Sequence, residues 1–267
     1  MDLLPIDTQP DYLKLLIYGQ PDAGKTTMAA SGAGHPEFTP TVIMDIEGGL
    51  QSVRWGGKGL LRTPRVETPE QIEAVIMAAA SGAGAFAGCK CLVIDSLTKM
   101  SKILLQSIVA KKHAAKPRKG GVDQIERSDY GDLGKAMERY VDMLIGLDMH
   151  VILIALEKNV MVEEQIVEIT LGLPGALPSK MVAACDNVFA LKKMPEVPAG
   201  TNAEGVETPG SPAGVAMLTQ TVGLQFARVR NRQFREALEI FTMNPTLPAV
   251  WDVYNKSLEV GRATIES

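Results

Sequence analysis

Cysteine is scarce in this chain, which has three (Cys89, Cys91 and Cys185) in 267 residues. So few, and an odd number, exclude a disulfide framework and point to reduced thiols in a cytoplasm. Cys89-Lys90-Cys91 has no matching Cys/His pair elsewhere, so core cysteines are expected rather than a zinc site. Long hydrophobic runs are also lacking; none approaches a membrane span, and no membrane partner is expected. The opening Met1-Asp2-Leu3-Leu4-Pro5-Ile6-Asp7 is acidic rather than signal-like. A surplus of positive charge is missing too. The net charge of −4 excludes a blanket electrostatic grip on nucleic acid, so any such contact must come from a local patch.

What is present is the composition of a soluble globular protein, 46% apolar and 22% charged. The length predicts a single domain over residues 1–267, large enough for a full core. No internal repeat is present. Gly19-Gln20-Pro21-Asp22-Ala23-Gly24-Lys25-Thr26, followed by Thr27, fits G-x-x-x-x-G-K-[ST], the phosphate-binding P-loop, at every fixed position. Leu13 to Tyr18 reads as the buried strand before it. Thr26 to Ala30 opens a helix that fades at Gly32 and Gly34. Such a loop wraps a polyphosphate closely and points backbone N–H groups at it. Lys25 would reach the β- and γ-phosphates of ATP, and the Thr26 hydroxyl would ligate Mg²⁺.

Further strands are predicted at Thr41–Met44, Thr63–Val66, Cys91–Ile94 and Val151–Leu156, the last ending in Glu157-Lys158. A capping box at Thr68-Pro69-Glu70-Gln71 opens a helix that Gly82 ends. Helices are also predicted from about Leu97 to Ala110 and Asp132 to Leu147, with a helix-poor basic stretch between them. This alternation predicts an α/β fold, a mostly parallel central sheet flanked by helices. The last third adds strands at Gln165–Leu171, Val188–Leu191 and Ala216–Leu218 and a short helix at Leu177–Ala184. A Pro/Gly-rich linker over 195–214 is expected to be mobile, and 236–267 forms a C-terminal tail carrying Trp251 and Tyr254.

A P-loop hydrolase needs an acid to hold Mg²⁺, and Asp95, closing an apolar strand, has the type and place for it. Because Asp95-Ser96 also opens a helix, a capping role is the alternative. Attack by water needs a base. Glu47 lies just past a strand's carboxyl end, where α/β sheets bind ligands; Asp45 shares that tip but is nearer the strand. A solvated turn carboxylate is the competing reading of Glu47.

Asp45-Ile46-Glu47, Leu92-Val93-Ile94-Asp95-Ser96 and Arg230-Asn231-Arg232 together resemble RecA-type ATPases. Gly19–Thr27, Met44-Asp45-Ile46-Glu47-Gly48-Gly49-Leu50, Val93-Ile94-Asp95-Ser96-Leu97-Thr98 and Asp129-Tyr130-Gly131 more closely resemble the phage-encoded P-loop ATPases. Some of those serve as RecA-like single-strand annealing proteins. The resemblance covers roughly residues 12 to 235 and implies a RecA-like P-loop core, Glu47 as general base and Asp95 as the Mg²⁺ acid. It implies that Arg230 and Arg232 reach a neighbouring subunit's γ-phosphate in a homo-oligomer, ring or filament. It also implies a γ-phosphate sensor at Glu157 or Lys158, a choice left open, with a strand-terminating salt bridge as the alternative. Lys111, Lys112, Lys116, Arg118 and Lys119 follow the helix after Asp95, where RecA-like proteins carry a DNA-facing loop. A solvated charge run is the other reading of that stretch.

The expected function is an ATPase that binds single-stranded DNA and supports phage recombination, annealing or replication. Its setting would be the host cytoplasm, with a single-strand-binding protein as a further partner. A P-loop kinase of a nucleotide or small metabolite, or a nucleotide-gated adaptor of the helicase-loader kind, remain alternatives. A GTPase is not expected, because no Asn-Lys-x-Asp motif is present.

Overall fold

The computed structural model describes residues 12–53, 59–117, 121, 124–196, 200–201, 207–208, 213–222, 225, 227–230, 232–239 and 241–266. The apolar runs become parallel strands: β1 (Lys14–Gly19), β2 (Thr41–Asp45), β3 (Leu60–Arg62), β4 (Cys91–Asp95), β5 (His150–Val162) and β7 (Asn187–Met194). Antiparallel strands β10 (Gly214–Leu218) and β12 (Phe241–Met243) extend one edge, giving the order β12-β10-β7-β1-β5-β4-β2-β3. Short β11 (Arg228–Val229) also pairs with β7, and β8 (Gly200–Thr201) pairs with β9 (Glu207–Thr208) within the predicted linker.

The strands read as continuous apolar runs because both faces of the sheet are covered. One face carries Leu16, Tyr18, Met44, Ile94 and Leu153 against α2 (Pro69–Ser81), α3 (Leu97–Ala115), α4 (Arg127–Ile145) and α5 (Leu177–Ala184). The opposite face carries Leu15, Ile17, Ile43, Val93 and Ile152 against α1 (Lys25–Ala30), α6 (Arg232–Ala237) and α7 (Leu247–Glu266). The α/β fold with a mostly parallel sheet flanked by helices is therefore present.

Local chemistry sets the helix ends. The Thr68 side chain accepts from the Gln71 N–H, Pro69 sits in the first turn, and Gly82 closes α2 in the left-handed region at φ 61°. The C-terminal tail is a packed element: Trp251 of α7 meets Phe38 and His150 edge-on at ring separations of 5.8 and 4.8 Å.

Four boundaries differ from expectation. The third strand is Leu60–Arg62 rather than Thr63–Val66, because Thr63 and Val66 continue as coil along β2, their N–H groups donating to the Ile43 and Asp45 carbonyls. Helix α3 runs on through Lys111 and Lys112 to Ala115, so the basic stretch is helical over its first half. Lys112 is held there by Asp129 and Asp132 at the start of α4. Helix α4 starts at Arg127 rather than Asp132, since Glu126 and Asp129 form a reciprocal cap. Strand β5 does not stop at Glu157-Lys158. Beyond Leu156 it leaves its neighbours in the main sheet and pairs with β6 (Gln165–Leu171) as a hairpin.

Candidate nucleotide-binding site

The P-loop links β1 to α1 at the carboxyl edge of the sheet, where parallel α/β folds leave their binding crevice. Its first glycine is fixed by packing: a Cβ on Gly19 would lie 2.2 Å from the Leu191 carbonyl oxygen of β7. Gly24 takes φ 78°, a backbone conformation open to glycine, and so turns the chain into α1. Gln20, Pro21, Asp22 and Thr27 face solvent, whereas Ala23 and Lys25 are buried. The Lys25 ammonium donates to the Gly19 and Gln20 carbonyls at 3.0 and 2.5 Å.

Thr26, the next residue, donates its hydroxyl to Asp95 Oδ2 at 2.8 Å. Parallel pairing puts Asp45 of β2 beside Asp95 of β4, so both strand ends reach the same edge as the P-loop. Asp45 is only 2% exposed and accepts from the Gly48 N–H at 2.7 Å, which makes it a bracket for the turn that carries Glu47. The Ile46 and Glu47 N–H groups both donate to the Asp95 carbonyl, at 2.9 and 3.0 Å. The Glu47 carboxylate accepts from the Ser96 hydroxyl at 2.6 Å. P-loop, Glu47 and Asp95 are thus brought into one cluster.

The electrostatics are those of a crowded anionic site. Burial pushes the Asp95 carboxyl above its ordinary range; the Thr26 hydroxyl and Lys25 hold it down, while Glu47 and Asp45 push it further up. Burial shifts the Lys25 ammonium downward, against the opposing pull of Asp95, Glu157, Asp22 and Glu47. Several carboxylates around one buried cation form a site that a divalent cation would neutralise. Among the described residues no group of three or more His, Cys, Asp or Glu is placed to hold a metal alone. A hydroxyl and a carboxylate oxygen suit Mg²⁺, which keeps waters and takes phosphate oxygens for its remaining positions.

The protein-family model described as an AAA domain matches residues 11–216, most of the chain. The chain belongs to this AAA-domain family. No curated protein matches it by sequence. Among solved structures, this AAA domain is similar to the RadB recombinase, with TM-score 0.42, 15% identity and coverage of 77% of this chain and 79% of that one. An ATPase of the type III secretion system of pathogenic bacteria follows at TM-score 0.41 and 13% identity, covering 67% of this chain and 51% of that one. Flagellar accessory protein FlaH of Methanocaldococcus jannaschii gives TM-score 0.38 and 10% identity, covering 86% of this chain and 83% of that one.

Other predicted site residues of the chain are spread more widely, and Arg230 and Arg232 lie beyond the matched residues 11–216. Glu157 is half-buried and close enough to Lys25 to act on its charge, whereas Lys158 is exposed and paired with Thr170 in the hairpin. Arg230 is tied within its own subunit, donating to Asp186 Oδ1 at 2.7 Å and to the Ala183 carbonyl at 2.8 Å. The Arg232 side chain lies outside the described residues. In the basic stretch, Lys111 is 3.4 Å from Glu70, and Lys112 bridges Asp129 and Asp132. Lys116 is exposed, and Arg118 and Lys119 lie outside the described residues.

Sequence reasoning missed Ser96, Thr98 and the bracketing role of Asp45. Thr98 Oγ1 accepts the Leu156 N–H at 3.0 Å, joining the first turn of α3 to the root of the hairpin. A serine capping a helix right after a strand-end acid was visible; its bond to Glu47, 49 residues away, was not.

Proposed function

We propose that this AAA domain binds ATP with Mg²⁺ and hydrolyses it, working as a homo-oligomer on single-stranded DNA. The observation that carries the ATPase reading is the 2.8 Å hydrogen bond from Thr26 of the P-loop to Asp95 of β4. It unites the two oxygen ligands a P-loop enzyme offers to Mg²⁺. When bound, Mg²⁺ supplies charge neutralisation at the phosphates. Lys25 and the loop N–H groups would hold those phosphates, and Glu47 would orient and deprotonate the attacking water. Glu157, rather than Lys158, is the better-supported sensor, because it acts on Lys25.

The DNA reading is supported by the basic stretch at the end of α3. Its ion pairs tie it to the start of α2, the helix that follows β3, and to the start of α4. A role in phage recombination, annealing or replication, with a single-strand-binding protein as further partner, rests on the motif resemblance of Met44–Leu50 and Val93–Thr98. A cytoplasmic setting fits the scarcity of cysteine and the absence, among the described residues, of a helix long and apolar enough to cross a membrane.

The test is ATP turnover with and without single-stranded DNA across protein concentration, with small-molecule acceptors in parallel. Turnover that rises with DNA and with assembly is the expected result. Stimulation by a small acceptor without any DNA response would make the protein a kinase, and silence in every arm a nucleotide-gated adaptor.

A further inference from the structure

Glu47 sits on an exposed turn after β2, followed by Gly48 in the left-handed region and by Gly49. A glutamate on such a turn has several rotamers open to it, and a general base is effective only when held within reach of its proton. Besides the Asp45 bracket at Gly48, two hydrogen-bonded restraints act on Glu47 and its N–H-bearing turn from the Asp95–Ser96 pair. The Asp95 carbonyl holds the Ile46 and Glu47 backbone N–H groups, and the Ser96 hydroxyl holds the side chain.

Ser96 is 2% exposed, and its hydroxyl is committed. Its oxygen accepts the Lys99 N–H at 3.3 Å as the N-cap of α3, and its one hydrogen goes to Glu47 Oε1 at 2.6 Å. Resting on the reading of Glu47 as the base, we infer that Ser96 is a positioning residue: it pins one carboxylate oxygen of Glu47 and leaves Oε2 to take the proton of the attacking water. Because the pinning group follows the Mg²⁺ acid directly, any shift at the end of β4 moves base and acid together. Ser96 touches no reacting atom in this arrangement and acts through Glu47 alone.

The experiment measures steady-state ATP turnover, nucleotide affinity and thermal midpoint for Ser96→Ala, Ser96→Gly and Ser96→Thr, each in wild-type and Glu47→Ala backgrounds. In the wild-type background the Ala and Gly variants should lower kcat by about 10- to 100-fold, part of what a general base contributes, with KM unchanged. Glycine is tolerated at an N-cap where alanine is not, so a loss shared by both separates the hydroxyl's role at Glu47 from its role in the helix. Ser96→Thr, which keeps the hydroxyl, should retain turnover. In the Glu47→Ala background Ser96→Ala should have no further effect, the non-additivity of groups acting as one unit. Full turnover in Ser96→Gly, or an equal loss in both backgrounds, overturns the proposal alone. Full turnover in Glu47→Ala overturns the assignment of the base and the proposal with it.

Discussion

Arg230 is bound to Asp186 of its own chain, Nη1 to Oδ1 at 2.7 Å, and its Nη2 donates to the Ala183 carbonyl near the end of α5. Both ends of the ion pair are about half exposed, so the pair itself contributes little stability, about 0–1 kcal/mol. It does give Arg230 a job within the subunit. We propose that the role in trans that the Arg-x-Arg motif suggests is carried by Arg232 rather than Arg230. Replacing Arg232 with Ala should lower assembled turnover by about 10³-fold or more, the range for an arginine finger, whereas Arg230→Ala should cost far less. Mixing Arg232→Ala with Lys25→Ala subunits should restore activity at mixed interfaces. Equal losses in the two single variants would return Arg230 to the site.

Asp95 carries a charge that burial opposes, so its carboxyl is raised above the unfolded value. A raised carboxyl costs stability at pH values above its folded pKa, and that cost is relieved as pH falls through it. Asp95→Asn should therefore raise the thermal midpoint of the nucleotide-free protein at neutral pH while abolishing Mg²⁺-dependent turnover. The Asn carbonyl can still accept from Thr26. Melting curves and an Mg²⁺ titration check both halves, and a lowered midpoint would show that the carboxylate stabilises the fold.

His150 is buried between Phe38 and Trp251, and its Nδ1 accepts the Leu13 N–H at 2.9 Å. Burial, helped by Lys14 and Lys90, lowers its pKa to about 4. The folded state thus stays neutral at this site while the unfolded chain takes up a proton below about pH 6.5. Stability from this site is complete above that pH and is lost as pH falls toward 4, at most about 3 kcal/mol. The midpoint of the wild type should fall faster over that window than that of His150→Gln, which keeps an acceptor for Leu13. Parallel curves would show that His150 does not titrate there.

DNA binding should have a shallow salt dependence. Five free cations on single-strand phosphates would give a log–log slope of about −3.5, but Lys111 and Lys112 are engaged with Glu70, Asp129 and Asp132. With Lys116, Arg118 and Lys119 alone the slope should be about −2. Replacing those three with Ser should flatten it further without altering ATP affinity. A slope near −3.5 in the wild type would mean that DNA displaces the carboxylates.

Much of the site was legible because it is built from local patterns. Leu13 to Ala30 specifies strand, loop and helix within 18 consecutive residues, and Cys91 to Asp95 reads as a buried strand because no polar residue interrupts its apolar run before the acid. Boundaries failed where a distant partner decided them. Lys111 and Lys112 read as helix-poor until Glu70, for the first, and Asp129 and Asp132, for the second, supplied counter-charges, and β5 ran past Glu157 because β6 was there to pair with it. The sequence alone determined the alternation of buried strands and amphipathic helices, the P-loop and the two strand-end acids, since each depends on residues adjacent in the chain. Only the tertiary structure decided that Ser96 holds Glu47, that Asp45 brackets the turn and that Arg230 is tied to Asp186. The first and last of these join residues more than forty positions apart, and the Asp45 turn, though local, is set by β2 ending beside β4. A hydrogen bond is a matter of distance in space, which the order of residues does not state.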